Sequence, residues 1–269
     1  MQITFQTPFD NPFQGDSQNP KTINPVLWAQ QALGFTADPQ QSEVLASSHR
    51  RVLVNCCRQW GKSTTAAVRA LYHAVHNPKS ETILIAPCQR QSAELLRKIS
   101  GFSTQLPNLK IKSDGTNRYS LQFTNGARIL ALPGKRDNIR GFSKVSLLII
   151  DEAAWVPDSL YFAVRPFLAA ASNPSLLVMS TPNGDSGFFY QTWSSQQLWQ
   201  RITVTAHECS RIEPAFLTEE QATLSAQFFR QEYLCEFLSH NRAVFNSEIV
   251  DRFFAQSNFG PLPDIRLES

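Results

Sequence analysis

Short apolar runs alternate with longer amphipathic segments along most of the chain. Four runs have the length and composition of buried strands: RVLVN (51–55), ETILIA (81–86), SLLII (146–150) and SLLVMS (175–180). Between the first two, the segment TTAAVRALYHAV (64–75) has the spacing of a helix, and it stops before Asn77-Pro78. This alternation predicts an α/β protein with a mainly parallel central sheet and helices on both faces.

The pattern changes in the middle of the chain, between Leu109 and Leu132. Three short alternating runs, LKIKS, RYSLQF and ARILAL, are separated by the turn segments SDGTN and TNG. Asn125-Gly126 in the second separator is a strong hairpin signal. We therefore expect antiparallel strands appended to the edge of the sheet.

Further helices and a last strand complete the predicted domain. The helices are expected over 24–33, from Pro39, over 90–100, over about 157–171 and, as one or two helices, over 217–239, with a strand at 201–206. The first 24 residues are rich in Gln, Asn and Pro without a helical or alternating period. The predicted organisation is an irregular arm (1–24), one domain (25–245) and a tail or linker (246–269).

Composition narrows the class of protein. A chain of 269 residues with 42% hydrophobic residues can bury one large α/β core, whereas two unrelated domains would be cramped. The net charge of +3 and pI near 8.6 permit contact with nucleic acid without indicating it. The five cysteines have no metal-ligand spacing, and no apolar run approaches the roughly 20 residues that cross a bilayer. We expect a protein of the reducing cytosol with no membrane partner.

Residues 56–64, CCRQWGKST, join the first predicted strand to the helix that follows it. Unpaired N–H groups at a helix start attract phosphate, Gly61 allows close approach, Lys62 would reach the β- and γ-phosphates, and Ser63 would hold Mg²⁺. The full P-loop pattern fails at its first position, where Cys56 replaces glycine. By itself, Gly-Lys-Ser is also compatible with an ordinary helix start.

An acidic pair follows the predicted strand at 146–150 and is a second indication of a ligand site. Asp151 and Glu152 follow it directly, at the carboxyl edge of the sheet where α/β proteins bind ligands. Asp151 would contact Mg²⁺, and Glu152 would orient and deprotonate an attacking water. Acidic pairs also occur by chance at helix starts, but the combination with a Gly-Lys-Ser loop favours a nucleotide site.

Two weaker signals leave alternatives open. Gln41, after Asp38-Pro39, carries an amide that can donate to and accept from the edge of adenine, or the segment is a solvated helix cap. Ser180 and Thr181 end the strand at 175–180, where hydroxyls could sense a γ-phosphate or the water. STPNG is also good turn chemistry in its own right.

Taken in order, these segments resemble the ATPase domain of the large terminase subunit of tailed bacteriophages, the motor that moves DNA into a procapsid. The matching segments are DPQQSEVL, CCRQWGKST, LLIIDEAAW, MSTPNG and FFRQEYLCEFLSHNRAVF, so the resemblance covers about residues 28–250. In that family the first P-loop glycine is often missing, which accounts for Cys56. One departure is Gln40, which stands where the family commonly has an aromatic residue.

The resemblance implies a RecA-like P-loop NTPase that hydrolyses ATP with Mg²⁺. The implied nucleotide-binding residues are Gln41, Arg58, Gln59, Trp60, Gly61, Lys62, Ser63, Thr64, Ser180 and Thr181. Ser63 and Asp151 would hold the metal, Glu152 would be the catalytic base, and Arg58 would sense the γ-phosphate. Ser180 and Thr181 would couple hydrolysis to movement. Arg140 would complete a neighbour's site in trans, with Lys135 and Arg136 as nearby competitors.

The implied partners are double-stranded DNA, a homo-oligomeric ring, a portal protein and a small terminase subunit in the bacterial host cytoplasm. Full-length terminases continue into a nuclease domain, so we expect no DNA cleavage from this chain. Lys110, Lys112, Arg118 and Arg128 are candidates for DNA contact or belong to a solvated sheet edge. The alternative functions are a helicase-like ATPase and an ATP-dependent assembly module without turnover.

Overall fold

A computed structural model describes residues 23–107, 109–112, 119–132, 134, 139 and 141–239 of the chain. The α-helices of this part are α1 (Pro25–Leu33), α2 (Pro39–Ala46), α3 (Lys62–His76), α4 (Gln89–Ser103), α5 (Asp158–Val164), α6 (Gly187–Ser194), α7 (Pro214–Thr223) and α8 (Ala226–Glu232). The strands are β1 (Arg51–Cys56), β2 (Glu81–Ile85), β3 (Ile111–Lys112), β4 (Ser120–Phe123), β5 (Arg128–Ala131), β6 (Leu147–Asp151), β7 (Ser175–Ser180) and β8 (Gln200–Val204).

These strands form one sheet in the order β3-β4-β5-β2-β6-β7-β1-β8. The six strands from β5 to β8 pair in parallel, whereas β4 and β3 add antiparallel to the β5 edge. The predicted fold class is therefore confirmed, including the antiparallel edge strands. The strand β7 lies between β1 and β6, which brings the ends of three separate sequence motifs side by side.

Both faces of the sheet are covered by helices, and successive residues of a strand serve opposite faces. In β6, Leu147 and Ile149 join the apolar cluster that contains α3 and α4. Leu148 and Ile150 join the second cluster, which contains α5 and α6. Burial on both faces explains why the central strands are continuous apolar runs in the sequence.

The predicted hairpin at Asn125-Gly126 is present. Gly126 has a φ of +85°, in the left-handed region that favours glycine, and its N–H donates to the carbonyl of Phe123 at 2.9 Å. The side chain of Asn125 donates to the carbonyl of Ala74 in α3 at 2.7 Å. The turn is thus attached to the helix that follows the P-loop.

The helix predicted over 157–171 is shorter than expected. Helix α5 ends at Val164, and residues Arg165–Leu168 form a 3-10 turn. Pro166 explains the difference, since proline lacks the N–H that would continue an α-helix and disfavours helical backbone in the residue before it. The helical prediction over 217–239 corresponds to the two helices α7 and α8, which end at Glu232, and the side chain of Ser225 caps the second by accepting from the N–H of Phe228 at 3.2 Å.

Helix α6 is absent from the sequence-based prediction. It begins at Gly187, a poor helix former, and is rich in aromatic residues, so its propensity signal is weak. The N–H of Phe188 in its first turn donates to the carboxylate of Asp158 at 2.7 Å. This stabilising contact crosses 30 residues of sequence, so the local pattern does not contain it.

Several predictions fall on residues outside the described part of the chain. They concern the arm up to residue 22, the tail from residue 246, and Arg118, Lys135, Arg136 and Arg140. Within the described ranges, no helix is long and apolar enough to cross a membrane.

Candidate active site

The carboxyl ends of β1, β7 and β6 lie next to one another and carry three of the predicted motifs. Asn55 of β1 is in register with Ser180 of β7, and Met179 of β7 is in register with Asp151 of β6. All three strands are parallel, so their ends meet at a single edge of the sheet. The P-loop, the acidic pair and the Ser-Thr turn are therefore neighbours in space.

The P-loop turns between β1 and α3. Its two residues with left-handed backbone are Gln59 (φ +64°) and Gly61 (φ +98°). Cys56 instead ends β1 in extended conformation, fully buried, with its thiol 3.8 Å from the carbonyl oxygen of Ser180. Because the chain does not need a positive φ at Cys56, the missing first glycine causes no backbone strain.

A polar network that includes the buried side chain of Gln41 supports the P-loop at the residue before Gly61. The carbonyl of Trp60 accepts hydrogen bonds from the side chains of Gln41, at 3.2 Å, and Arg211. Arg211 also donates to the carboxylate of Asp38 at 2.7 Å, and Asp38 and Gln41 form the capping box that starts α2. A Cβ atom on Gly61 would lie 3.0 Å from the amide nitrogen of Gln41, a tight contact, and the φ of +98° also favours glycine at this point.

The network gives Gln41 a structural contact that the sequence did not reveal. Its amide holds the backbone carbonyl just before Gly61, and its carbonyl oxygen accepts from the N–H of Asp38 at 3.1 Å. The side chains of Gln41 and Trp60 are buried and are not among those lining the pocket described below. The adenine-reading role of Gln41 stays a prediction.

Lys62 is the buried cation of the site. Its Nζ donates to the hydroxyl of Thr181 at 3.1 Å and lies 3.4 Å from a carboxylate oxygen of Glu152. Burial works against its charged form, but the nearby carboxylates of Glu152 and Asp151 favour it, and the pKa of Lys62 is raised. Lys62 therefore keeps its positive charge inside the protein.

Ser63 and Asp151 form a second contact between α3 and β6. The Ser63 hydroxyl donates to the Asp151 carboxylate at 2.8 Å. Together they present hydroxyl and carboxylate oxygens, which are the hard ligands that Mg²⁺ prefers. The donor chemistry of this pair fits the predicted metal, although the described residues contain no group of three or more His, Cys, Asp or Glu side chains arranged for metal binding.

Glu152 follows β6 in left-handed backbone, with φ +52° and ψ +44°. Its carboxyl group lines the pocket and its side chain is 30% exposed. Burial raises the pKa of Glu152, and the positive charge of Lys62 partly opposes this effect. A carboxylate with a raised pKa is a better general base than an ordinary glutamate once it is ionised.

Arg58 is paired with a residue far along the chain. Its Nε donates to the carboxylate of Glu232 at the end of α8, and its backbone N–H donates to the carbonyl of Glu232 at 3.2 Å. The Glu232 side chain is 3% exposed, whereas that of Arg58 is 59% exposed and lines the pocket. Hydrogen bonding to Glu232 raises the pKa of Arg58, so it remains fully charged.

Ser180 and Thr181 divide their contacts between two sides of the site. The Ser180 hydroxyl accepts from the N–H of Ala154, at 3.1 Å, and donates to the carbonyl of Thr181, at 2.7 Å. Thr181 lines the pocket and contacts Lys62. The tip of β7 thus connects the P-loop lysine to the turn that follows Glu152.

These side chains surround an open pocket of about 480 Å³. Its lining residues are Arg58, Gln59, Gly61, Lys62, Ser63, Pro87, Gln91, Lys98, Glu152, Trp155 and Thr181. Seven of these were predicted from sequence, whereas Pro87, Gln91, Lys98 and Trp155 were not. Gln91 and Lys98 come from α4, which carries no nucleotide motif, so the sequence offered no signal for them beyond their polarity.

A Gly-Lys-Ser loop at the head of a helix, beside carboxylates at the edge of a parallel sheet, defines a P-loop protein. The family model described as "Terminase large subunit, T4likevirus-type, N-terminal" matches residues 54–252. The chain therefore belongs to the terminase large subunit family, as the order of its motifs indicated.

Known relatives agree with this assignment. The chain is 24% identical over 251 residues to the large terminase subunit of Thermus phage G20c, covering 80% of this chain and 51% of the relative. It is 28% identical over 233 residues to the large subunit of Escherichia phage T5, covering 81% of this chain and 50% of that protein. The chain thus spans about half the length of the curated relatives it matches.

Solved structures confirm the RecA-like fold. The ATPase domain of the Thermus phage P74-26 large terminase has a TM-score of 0.66 at 21% identity, with 81% of this chain and all of that domain covered. The HK97 large terminase gives 0.64 at 16% identity, covering 80% and 55% of the two chains. The large terminase of a thermophilic bacteriophage, solved in complex with ADP, gives 0.61 at 12% identity, covering 75% and 54%.

The exposed Arg58 pairs with the buried Glu232, so we expect replacement of each residue to lower the free energy of unfolding by a different amount. Arg58→Ala leaves the buried Glu232 carboxylate without its ionic partner, so we expect a loss of roughly 1–3 kcal/mol in the free energy of unfolding. Glu232→Gln leaves the Arg58 guanidinium hydrated, so its loss should stay below about 1 kcal/mol. Urea denaturation measures both, and the double variant should recover most of the loss of Arg58→Ala. A larger loss for Glu232→Gln than for Arg58→Ala would contradict this description.

Proposed function

We propose that this chain is a Mg²⁺-dependent ATPase whose cycle moves double-stranded DNA into a viral procapsid. The observation that carries the proposal is the convergence of Lys62, Ser63, Asp151, Glu152 and Thr181 at one edge of the sheet. Membership of the terminase large subunit family supports it, as do the ADP and ATP-gamma-S complexes of the large terminase of the thermophilic bacteriophage.

Binding of the triphosphate follows from the charges of the pocket. The start of α3 offers backbone N–H groups and a helix dipole to the phosphates, with Gly61 allowing close approach. Lys62 would turn from Glu152 and Thr181 towards the β- and γ-phosphates. Ser63 and Asp151 would hold Mg²⁺, which neutralises phosphate charge when bound.

Hydrolysis requires a base beside the γ-phosphate. Glu152 would accept a proton from a water molecule as the water oxygen bonds to the γ-phosphorus and the bond to the β-phosphate oxygen breaks, releasing ADP. The contact between Glu152 and Lys62 would then break, because Lys62 would bind the phosphates and Glu152 would bind the attacking water. Their present contact at 3.4 Å supports the proposal that both groups face the γ-phosphate.

Two further elements would report the state of the nucleotide. Arg58 would exchange the Glu232 carboxylate for the γ-phosphate, because the same guanidinium lines the pocket and bonds to α8. Ser180 and Thr181 would transmit the change through their contacts with Ala154 and Lys62. These contacts support the coupling role of Ser180 and Thr181.

The remaining proposals rest on the family. The active form would be a homo-oligomeric ring in the bacterial host cytoplasm, with Arg140 completing the neighbour's site. Double-stranded DNA, a portal protein and a small terminase subunit would be its partners. Lys110, Lys112 and Arg128 lie on the antiparallel edge of the sheet or beside it, and there Arg128 pairs with Glu81 at 3.4 Å. The expected lack of nuclease activity in this chain stays a prediction.

Replacing the proposed base separates binding from turnover. Glu152→Gln should bind ATP with an affinity close to that of the wild-type chain while losing at least about a hundredfold in kcat, the usual contribution of a general base. Calorimetric titration with ATP and steady-state phosphate release measure the two effects. Wild-type turnover by the variant would remove Glu152 from its role, and wild-type protein that binds ATP without turnover would indicate an assembly module.

The raised pKa of Glu152 predicts the pH dependence of hydrolysis. The base acts only when ionised, so kcat/KM for ATP should fall as the pH drops through the pKa of Glu152 in the free protein, at a higher pH than for an ordinary glutamate. A pH profile of kcat/KM, with ATP affinity recorded at each pH, tests this. A rate that stays constant down to the range of unperturbed carboxyl groups would contradict it.

Mixing variants tests whether Arg140 acts in trans. Arg140→Ala should lose most of its hydrolysis, because an arginine finger contributes on the order of 10³–10⁵ in rate. Addition of Glu152→Gln subunits, which retain Arg140, should restore hydrolysis at the intact sites of the Arg140→Ala subunits. The same mixing with Arg136→Ala and Lys135→Ala tests the two competing residues, and no gain on mixing Arg140→Ala would exclude a role of Arg140 in trans.

A further inference from the structure

Lys98 belongs to the same pocket although no nucleotide motif includes it. It lies in the middle of α4, the helix that packs beside α3. Side chains of a helix point towards its N-terminus, so a long lysine at this position reaches back to the pocket edge of the sheet. Its Nζ is 3.5 Å from the hydroxyl of Thr64, one residue after Ser63.

The charges around Lys98 distinguish it from the other cations of the pocket. Lys62 has Glu152 at 3.4 Å, and Arg58 has the buried carboxylate of Glu232. Within the described residues, Lys98 forms no ion pair. Its positive charge is therefore available to a ligand.

The natural helical partner of Lys98 is engaged elsewhere. Glu94 stands four residues before Lys98, the spacing at which a glutamate and a lysine commonly pair on a helix surface. In this structure Glu94 pairs with Arg97 instead. An ordinary surface ion pair thus does not account for the position of Lys98 beside Thr64.

We propose that Lys98 is a further nucleotide-binding residue whose ammonium group contacts the α- or β-phosphate. This inference rests on the proposed function. The proposed γ-phosphate end of the pocket is where Lys62 contacts both Glu152 and Thr181. Thr64 lies farther along α3, and the α- and β-phosphates occupy the P-loop cradle on the side away from the γ-phosphate. A contact at that end is shared by ATP and ADP.

The affinities of both nucleotides test this proposal. Lys98→Ala should weaken binding of ATP and of ADP by about tenfold each, since a charge-assisted contact near the surface is lost. Lys98→Arg should recover most of the affinity, and Lys98→Glu should bind more weakly than Lys98→Ala. At saturating ATP, kcat should change less than about twofold, so the effect appears in KM. Calorimetric titration and steady-state kinetics in the presence of Mg²⁺ measure these quantities.

Arg90→Ala provides a matched control on the same helix. Arg90 is an exposed cation that lines a separate groove with Gln89, Ala93 and Tyr119, and it forms no ion pair within the described residues, so its removal frees no carboxylate to pair with Lys98. Its removal deletes the same unit of charge and should leave both affinities at the wild-type value. If Lys98→Ala behaves like Arg90→Ala, the proposal is overturned. Weaker binding of ATP with unchanged ADP binding would place the contact at the γ-phosphate and overturn the assignment to the α- or β-phosphate.

The proposed function fails in a different way. In that case the wild-type chain would bind neither ATP nor ADP, whatever residue stands at position 98, and the role of Lys98 would fall with it. Wild-type binding and hydrolysis combined with unchanged affinities in Lys98→Ala would overturn only the present inference. Lys98 is exposed, so its substitution is not expected to prevent folding.

Discussion

The site depends on the contacts that the buried ammonium group of Lys62 makes with Glu152 and Thr181. A charge inside a protein is tolerated only with partners, and Lys62 has the Glu152 carboxylate and the Thr181 hydroxyl within 3.4 Å. These partners come from the ends of β6 and β7, so one side chain connects three strand ends. The order of the central strands is what makes this possible, since β7 separates β1 from β6 and contributes to the middle of the site.

The contact network also indicates how the site can respond to a ligand. Lys62, Ser63 and Arg58 each donate a hydrogen bond to a carboxylate or a hydroxyl. A bound triphosphate would compete with these acceptors for the same donors. Glu232 ends α8, and the neighbouring Gln231 accepts from the N–H of Gly184 in the turn after β7, at 3.1 Å. The end of α8 therefore touches both the P-loop arginine and the Ser-Thr turn. A change in either contact would reach the same helix.

Sequence and structure agree best where chemistry and periodicity coincide. Asp151 and Ser180 could be placed at one sheet edge because each ends a run of apolar residues, and the Asn125-Gly126 turn has a backbone requirement that its sequence states directly. The length of α5 was overestimated because the helical pattern was extended through Pro166. Cys56 departs from the P-loop pattern in the sequence, but the structure shows that this departure is harmless. Its backbone is extended, so a loop without the first glycine is unstrained.

The contacts that the sequence did not predict have one physical reason in common. Glu232 contacts Arg58 across 174 residues, Arg211 reaches Trp60 across 151, and Lys98 approaches Thr64 across 34. Contacts of this kind arise from packing of separate elements and leave no period or spacing in the sequence. Gln41 is a related case. Its sequence motif singled it out as a candidate residue, but the motif does not indicate its hydrogen bond to the P-loop carbonyl of Trp60.

The central claim is that this chain hydrolyses ATP as part of a DNA-moving assembly. The most direct measurement is the steady-state ATPase rate per chain as a function of protein concentration, with and without duplex DNA. We expect a rate that rises with concentration, because in the proposed oligomer a neighbouring subunit would supply an arginine, and that rises further when duplex DNA is added. A rate indistinguishable from that of buffer at every concentration, with or without DNA, would contradict the claim.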